Sequence, residues 1–257
     1  YEPSGDVALY LPVGDYTLSV DGVADRTGAY SFRLLDLAQA APLTPGTVVS
    51  GQLDPANETD AYRFSVVAGQ RFFIDRLANS GDIYWRLIDP YGRTVVDRTS
   101  MNNDLGEMTL GLDGRYTLLI EGRVQTTGTA DYRFSVTLVE DLPVQPMNLD
   151  TVISGRIGQA GLRDRYTFTL SDDTRVLFDS LTLDSAMLWS FAGPNGVLVG
   201  NRPFQYSDSH DVGGNNSIFL RAGSYTLTVD GDSDHTGGYA FRLLNLAAAQ
   251  AIVPDTV

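Results

Sequence analysis

The chain repeats itself, and this repetition limits its folds more than any other feature. Asp60-Ala-Tyr-Arg-Phe64 returns as Asp164-Arg-Tyr-Thr-Phe168, Thr47-Val-Val-Ser-Gly51 as Thr151-Val-Ile-Ser-Gly155, and Trp85…Pro90-Tyr-Gly92 as Trp189…Pro194-Asn-Gly196. All three pairs lie 104 residues apart, so the halves align without a gap to about residue 200. A further block occurs three times, around Tyr16, Tyr116 and Tyr225, in Leu11-Pro-Val-Gly-Asp-Tyr-Thr-Leu-Ser-Val20 and its two relatives. Each is followed by an alternating stretch: Tyr30-Ser-Phe-Arg-Leu-Leu35, Tyr132-Arg-Phe-Ser-Val136 or Tyr239-Ala-Phe-Arg-Leu-Leu244. A period near a hundred residues is domain-sized, which predicts a tandem array of modules, each with its own core.

The repeats set the expected boundaries. Residues 47–140 form one whole unit and 149–246 a second. Residues 1–38 match only the C-terminal third of a unit, and 252–257 only the start of another. The chain thus reads as a segment of a longer array. The strands of the N-terminal piece would leave open sheet edges, so they must pack on a neighbouring unit, pair with another chain, or belong to a larger unit. The joints, 38–46 and 141–150, are short, apolar and proline-bearing, as expected of semi-rigid spacers.

Within a unit the apolar runs are short and have period two. Tyr62, Phe64 and Val66 alternate with Arg63 and Ser65, and Tyr225, Leu227 and Val229 with Thr226 and Thr228. Such runs place one face in a core and one in solvent. Turn signals such as Asp54-Pro, Asp89-Pro-Tyr-Gly and Asp230-Gly-Asp separate them. Eight or nine short strands per hundred residues predict an all-β sandwich. Only Leu34–Ala40 and Leu243–Ala251 look helical, and they read as strand ends running into linkers, with room for a short helical turn. Composition agrees: Asp outnumbers Glu 27 to 5, and 26 glycines favour turns.

Composition also excludes. The net charge of −14 rules out a phosphate-neutralising nucleic-acid face, and absent cysteine rules out disulfides and thiolate chemistry. No apolar run approaches a membrane span. All 18 basic residues are arginine. On strand faces, Arg33, Arg63, Arg133 and Arg242 are expected to pair with Asp across strands.

Gly51-Gln-Leu…Asp60-Ala-Tyr-Arg-Phe64, then Gly81-Asp-Ile-Tyr-Trp-Arg-Leu-Ile-Asp-Pro-Tyr-Gly92, then Leu112-Asp-Gly-Arg-Tyr-Thr-Leu118 resembles the bacterial pre-peptidase C-terminal domain family. Both whole units fit, and residues 1–38 fit the family's last third. The resemblance implies tandem jelly-roll-like β-sandwich domains on secreted proteins, beside a protease or in surface arrays. Some relatives, such as collagen-binding domains of clostridial collagenases, bind calcium and fibrous protein.

Calcium wants six to eight hard oxygen ligands. Asp230, Asp232 and Asp234 alternate in one turn, and Asp21 and Asp25 occupy its counterpart. Asp54, Asn57, Glu58 and Asp60 form a second cluster, with Asn57 and Asp60 where calcium-binding relatives carry ligands. Asp164 stands alone in the partner unit between Arg163 and Arg165. Aspartate in Asp-Gly turns also serves turn hydrogen bonding, so both uses stay open. The histidines, His210 and His235, have no counterparts in the other copies, and no hydrolase or phosphate-loop motif occurs. Tyr84, Trp85 and Tyr91 gather near one turn as candidate contacts for sugar or fibrous peptide, although the matched positions of Trp85 and Trp189 suit a core. Phe204, Tyr206 and His210 lie in a stretch about five residues longer than in the first unit, read as a surface loop.

The sequence therefore leads to a non-catalytic β-sandwich segment of a large extracellular or bacterial cell-surface protein. It would act as a stalk or adhesion module, with calcium as a stabiliser and neighbouring repeats as partners. The alternative is a polysaccharide- or fibrous-protein-binding module accessory to a secreted hydrolase.

Overall fold

The computed structural model describes residues 8–207 and 217–251. The stretch 252–257, read as the start of another unit, and His210 lie outside the described residues. The chain divides into two compact units, Tyr1–Leu138 and Val139–Val257.

Unit 1 contains β1 (Ala41–Pro42), β2 (Val48–Leu53), β3 (Thr59–Val66), β4 (Arg71–Asn79), β5 (Ile83–Ile88), β6 (Thr94–Ser100), β7 (Gly106–Thr109), β8 (Gly114–Gly122) and β9 (Ala130–Val139). They form two sheets, ordered β1-β3-β8-β5-β6 and β2-β9-β4-β7. Leaving aside the short β1, which pairs parallel with β3, eight strands in this order make a double-sheet jelly roll.

Unit 2 has β10 (Gln145–Pro146), β11 (Val152–Ile157), β12 (Arg163–Leu170), β13 (Thr174–Ser180), β14 (Met187–Gly193), β15 (Gly196–Pro203), β16 (Ile218–Leu220), β17 (Gly223–Gly231) and β18 (Gly237–Asn245). Its sheets follow the same order, β10-β12-β17-β14-β15 and β11-β18-β13-β16. The all-β, jelly-roll expectation holds in both units.

Period-two patterning builds the cores directly. On β9, Ala130, Tyr132, Phe134 and Val136 are all buried, while Asp131 and Arg133 face water. On β8 the alternation breaks down, because Tyr116 to Ile120 are buried without interruption. This strand is central, between β3 and β5, and its outward Leu119 lies opposite the buried Arg86 of β5.

Both tryptophans are core residues at 0% exposure. Trp85 meets Phe134 edge-on, with centroids 6.2 Å apart, whereas Trp189 stacks flat on Phe178 at 3.9 Å. The longer stretch of unit 2 differs from the expected surface loop. Phe204 is buried against Phe178 and Phe241, and Ser207 accepts the Trp189 indole N–H at 2.7 Å. Among the described residues, the Trp85 indole N–H has no such acceptor.

The helical-looking stretches shrink to 3₁₀ turns, Leu37–Gln39 and Leu246–Ala248. They are capped by Asp36, accepting from the Ala38 N–H at 2.9 Å, and by Asn245, accepting from the Ala247 N–H at 3.0 Å. The N-terminal piece departs most from expectation. No strand forms between residues 8 and 36, and nearly all of that stretch is exposed.

The unequal indoles yield a measurable contrast. Trp85→Phe removes an unsatisfied buried donor, whereas Trp189→Phe breaks a hydrogen bond. Trp189→Phe is expected to destabilise its unit by about 1–3 kcal/mol more than Trp85→Phe destabilises its own. Denaturant unfolding followed by circular dichroism, with the remaining tryptophan reporting the unmutated unit as an internal reference, checks this.

Candidate functional site

The acidic turn after β17 is organised by side chains from another loop. The Asp232 N–H donates to the Ala186 carbonyl at 2.8 Å, and the His235 N–H returns to Asp232 O at 2.9 Å. The turn closes through Ser233 at φ 54°. Asp184 anchors it from outside. Its Oδ1 accepts the Ala186 and Met187 N–H groups at 2.8 and 3.0 Å, and its Oδ2 lies 2.9 Å from His235 Nε2. Burial pushes the Asp184 carboxyl up, but the Ala186, His235 and Met187 interactions outweigh it and hold the group below the usual carboxylate range.

Asp230 pairs with Arg163 at 3.7 Å. Asp230, Asp232 and Asp234 therefore share a turn without bringing three carboxylates to one point. The counterpart turn with Asp21 and Asp25 closes in the same way, with Ala24 at φ 58° and the Arg26 N–H donating to Val23 O at 3.3 Å.

The 54–60 cluster is likewise divided among separate partners. Glu58 accepts the Asp54 N–H at 2.9 Å and pairs with Arg33 at 3.4 Å, while Asn57 donates to Val124 O at 3.3 Å. Asp60 turns inward, and its Oδ2 accepts the Tyr132 hydroxyl at 2.6 Å. That hydroxyl lies 2.5 Å from the Tyr62 hydroxyl. Unit 2 repeats the arrangement: Tyr239 donates to Asp164 at 2.5 Å and meets Tyr166 at 2.7 Å. The arginines flanking Asp164 serve other carboxylates, Arg163 reaching Asp230 and Arg165 reaching Asp141 at 2.6 Å.

Asp60 and Tyr62 belong to β3 and Tyr132 to β9, so each cluster bridges the two sheets. Glycine makes the room. A Cβ on Gly51 would lie 2.2 Å from the Tyr132 hydroxyl, and one on Gly155 2.3 Å from that of Tyr239. Burial, then the hydrogen bond to Asp60, then Tyr62 push the Tyr132 phenol far above its ordinary value, and Tyr239 is raised in the same way through Asp164 and Tyr166. Burial also raises Tyr62 and Tyr166. Phenols held protonated in this way serve as struts between sheets, not as bases or nucleophiles. Sequence reading missed the cluster, although its signal was present: Ser-Gly, Asp-x-Tyr and Tyr-x-Phe occur together in both units.

A second missed feature is a carboxylate pair in unit 1. Oxygens of the half-buried Asp75 and Asp104 lie within 4.8 Å of each other, and Asp104 also accepts the Arg76 N–H at 2.8 Å.

The candidate aromatics do not act alike. Tyr84 lies under two guanidinium groups, Arg98 at 5.1 Å and Arg123 at 5.6 Å from its ring centre. Beside it, the buried Arg86 reaches Asp97 at 2.9 Å and Glu121 at 3.1 Å. Tyr91 is open at 73% exposure, with Arg93 5.3 Å above its ring, in a turn organised by Asp89. Burial pushes the Asp89 carboxyl up, but donors from Arg93 and Tyr91 outweigh it and hold the group low. Roughly 13 Å of strand, at about 3.3 Å per residue, separates Tyr84 from the end of β5, so the two tyrosines form no single platform. Tyr206 is 46% exposed.

The strand arginines are also divided. Arg242 pairs with Asp179 at 2.6 Å, while Arg63 donates to the Ala38 carbonyl. Arg63, Arg115, Pro42, Leu43, Phe64 and Ser65 line an open cavity of about 210 Å³ in unit 1. Among the described residues, no helix is long and apolar enough to cross a membrane.

No family model matches the chain, and no curated protein matches it. It is similar to a solved pre-peptidase C-terminal domain of collagenase from Bacillus anthracis, at 17% identity and TM-score 0.30, over 39% of this chain and 94% of that one. It is also similar to the CUB1-EGF-CUB2 domain of human MASP-1/3, at 10% identity and TM-score 0.23, over 76% and 99% of the two chains. Similarity to a Paenibacillus xanthan lyase is 13% in identity with TM-score 0.21, over 79% and 23%.

The raised phenols fix a pH dependence. Unfolded tyrosine ionises near pH 10 while the buried phenols keep their protons, so the unfolded state loses protons first. Their contribution is whole below about pH 10 and is lost as pH rises beyond it. Tyr132→Phe and Tyr239→Phe are each expected to cost about 1–3 kcal/mol at neutral pH and to flatten the alkaline fall. Denaturant midpoints from pH 8 to 11, with phenolate absorbance on the same samples, test both effects.

Proposed function

We propose that the chain is a non-catalytic segment of a large extracellular or cell-surface bacterial protein, in which jelly-roll units act as spacer or adhesion modules. The observation that carries this reading is the Asp–Tyr–Tyr bridge found in both units. The buried polar chemistry of each sandwich holds its two sheets together, and it does so in the same place twice. A module that carries load or spaces a distant head needs that resistance to sheet separation. The resemblance to secreted-protein domains in the sequence supports the same assignment.

Calcium enters as a stabiliser. Asp75 and Asp104 offer two hard oxygens within 4.8 Å, and a cation relieves the repulsion between them. Backbone carbonyls and water would supply the remaining ligands. The acidic turns at Asp21–Asp25 and Asp230–Asp234 are the other places where the ion would act.

The arginine-lined cavity favours a second reading. Arg63 and Arg115 both line it, and guanidinium forks suit the carboxylate of an acidic polysaccharide. Tyr91 and Tyr206 are exposed rings that a sugar or fibrous peptide would reach.

Single-molecule pulling separates these readings. A load-bearing segment is expected to give two unfolding events, each releasing about 35 nm at about 3.5 Å per residue. Extension without resolved force peaks would overturn the spacer reading. Millimolar calcium is expected to raise Tm, and Asp104→Asn to remove that rise; superimposable scans with and without calcium would remove calcium from the assignment.

A further inference from the structure

Residues 8–36 carry six side chains exposed where their equivalents are buried. Tyr16, Leu18 and Val20 repeat Tyr116, Leu118 and Ile120 of β8 and Tyr225, Leu227 and Val229 of β17. Tyr30, Phe32 and Leu34 repeat Tyr132, Phe134 and Val136 of β9 and Tyr239, Phe241 and Leu243 of β18. In the two units all twelve are at 4% exposure or less; in the N-terminal segment the six range from 48% to 76%.

The local geometry of the segment is nevertheless that of a unit. Tyr16 donates to Pro12 O at 2.5 Å, as Tyr225 donates to Arg221 O at 2.8 Å. The turn that follows matches 230–235: a Cβ on Gly22 would lie 2.0 Å from Arg26 O, and one on Gly231 2.0 Å from His235 O. Tyr30 and Phe32 stack at 6.2 Å, as Tyr132 and Phe134 do at 6.1 Å and Tyr239 and Phe241 at 6.3 Å.

Topology explains why turns form without strands. β8 lies between β3 and β5, and β9 between β2 and β4. The two are consecutive in sequence but belong to opposite sheets, so they cannot satisfy each other. A segment holding only their equivalents lacks all four flanking strands.

We propose that residues 8–36 are a docking face for the rest of a third jelly roll. It would be covered by a polypeptide that supplies the strands equivalent to β1–β7 and enters through the Leu11–Gly14 turn, as β7 enters β8 through the turn before Gly114. The chemistry of the missing strands is specified. Tyr30 is the counterpart of Tyr132 and Tyr239, and its hydroxyl has no partner among the described residues. It calls for an Asp-x-Tyr strand equivalent to β3 and a glycine-bearing strand equivalent to β2. A second copy of this chain does not provide them, because both of its Asp-x-Tyr strands already hold Tyr132 and Tyr239.

Hydrogen exchange on the intact chain and on an extended chain tests this. The extension places a second copy of residues 145–219 directly before Leu11, so that Phe219 meets Leu11 as it meets Leu220. In the intact chain, the amides of 16–20 and 30–34 are expected to exchange at nearly unfolded rates. In the extended chain they should slow by about 10³-fold or more, as in a cooperative sheet. Phe32→Asp in the extended chain should abolish the gain while β8 and β9 keep their protection. Concentration-independent protection in the intact chain would mean the face is already covered; concentration-dependent protection would identify a second copy as the occupant. Either result overturns the proposal. So does a failure to gain protection with both this donor and a second, residues 41–111.

Discussion

Each unit depends on one buried contact, the tyrosine hydroxyl that crosses from one sheet to meet a carboxylate and a second tyrosine on the other. A sandwich is otherwise held by non-directional apolar packing, which tolerates sliding of one sheet over the other. Tyr132 to Asp60 and Tyr239 to Asp164 add a directional element at a fixed register. A carboxylate as buried as Asp164 is costly unless its hydrogen bonds are made, so any slide or separation of the sheets strands it. Other features follow from this requirement. Position 51 must be glycine, because a side chain there would occupy the hydroxyl's place, and Asp60 must face inward despite its position beside an acidic turn.

The outer faces solve a different problem, an excess of negative charge with arginine as the sole cation. Arginine's planar fork suits this use better than a point charge, since one guanidinium serves two acceptors. Arg86 shows it directly: a nearly buried head group bridges Asp97 on β6 and Glu121 on β8, tying three strands on the face away from the core. Tyr84, which sequence reading offered as a ligand contact, lies in the same network beneath Arg98 and Arg123. The pairs at the most exposed positions contribute little individually. Those with a buried partner, such as Arg86–Glu121, resist solvent screening.

Fold class was legible because period-two burial is a local property of sequence, and β9, β12 and β18 display it plainly. The continuous burial of β8 was less so, since it comes from a central position and from cover by neighbouring strands. The site was harder still. Asp60 was noticed for its place in an acidic cluster, and its carboxylate was found on a tyrosine 72 residues away. Nothing in spacing along one strand reports such a contact. It could have been inferred only by asking why Ser-Gly, Asp-x-Tyr and Tyr-x-Phe occur in concert. Phe204 was misread for a related reason: added length suggests a loop, but its buried ring and the Ser207 hydroxyl complete the packing around Trp189.

The N-terminal segment separates local from non-local instruction within one sequence. Its tyrosine corner, its left-handed turn residue and its stacked Tyr30–Phe32 pair all form, because each needs only residues a few positions apart. Its strands do not form, because a strand consists of hydrogen bonds to neighbours. In this topology the neighbours of two consecutive strands all lie earlier in the unit, in two different sheets. The jelly roll is therefore an all-or-none object: the last two strands cannot fold as a hairpin while awaiting the first seven. Loop closure must bring strands together across most of the unit before any ladder repays its entropy. The same non-locality lets one bridge control the whole unit, since the strands it joins, β3 and β9, stand near opposite ends of the unit's sequence.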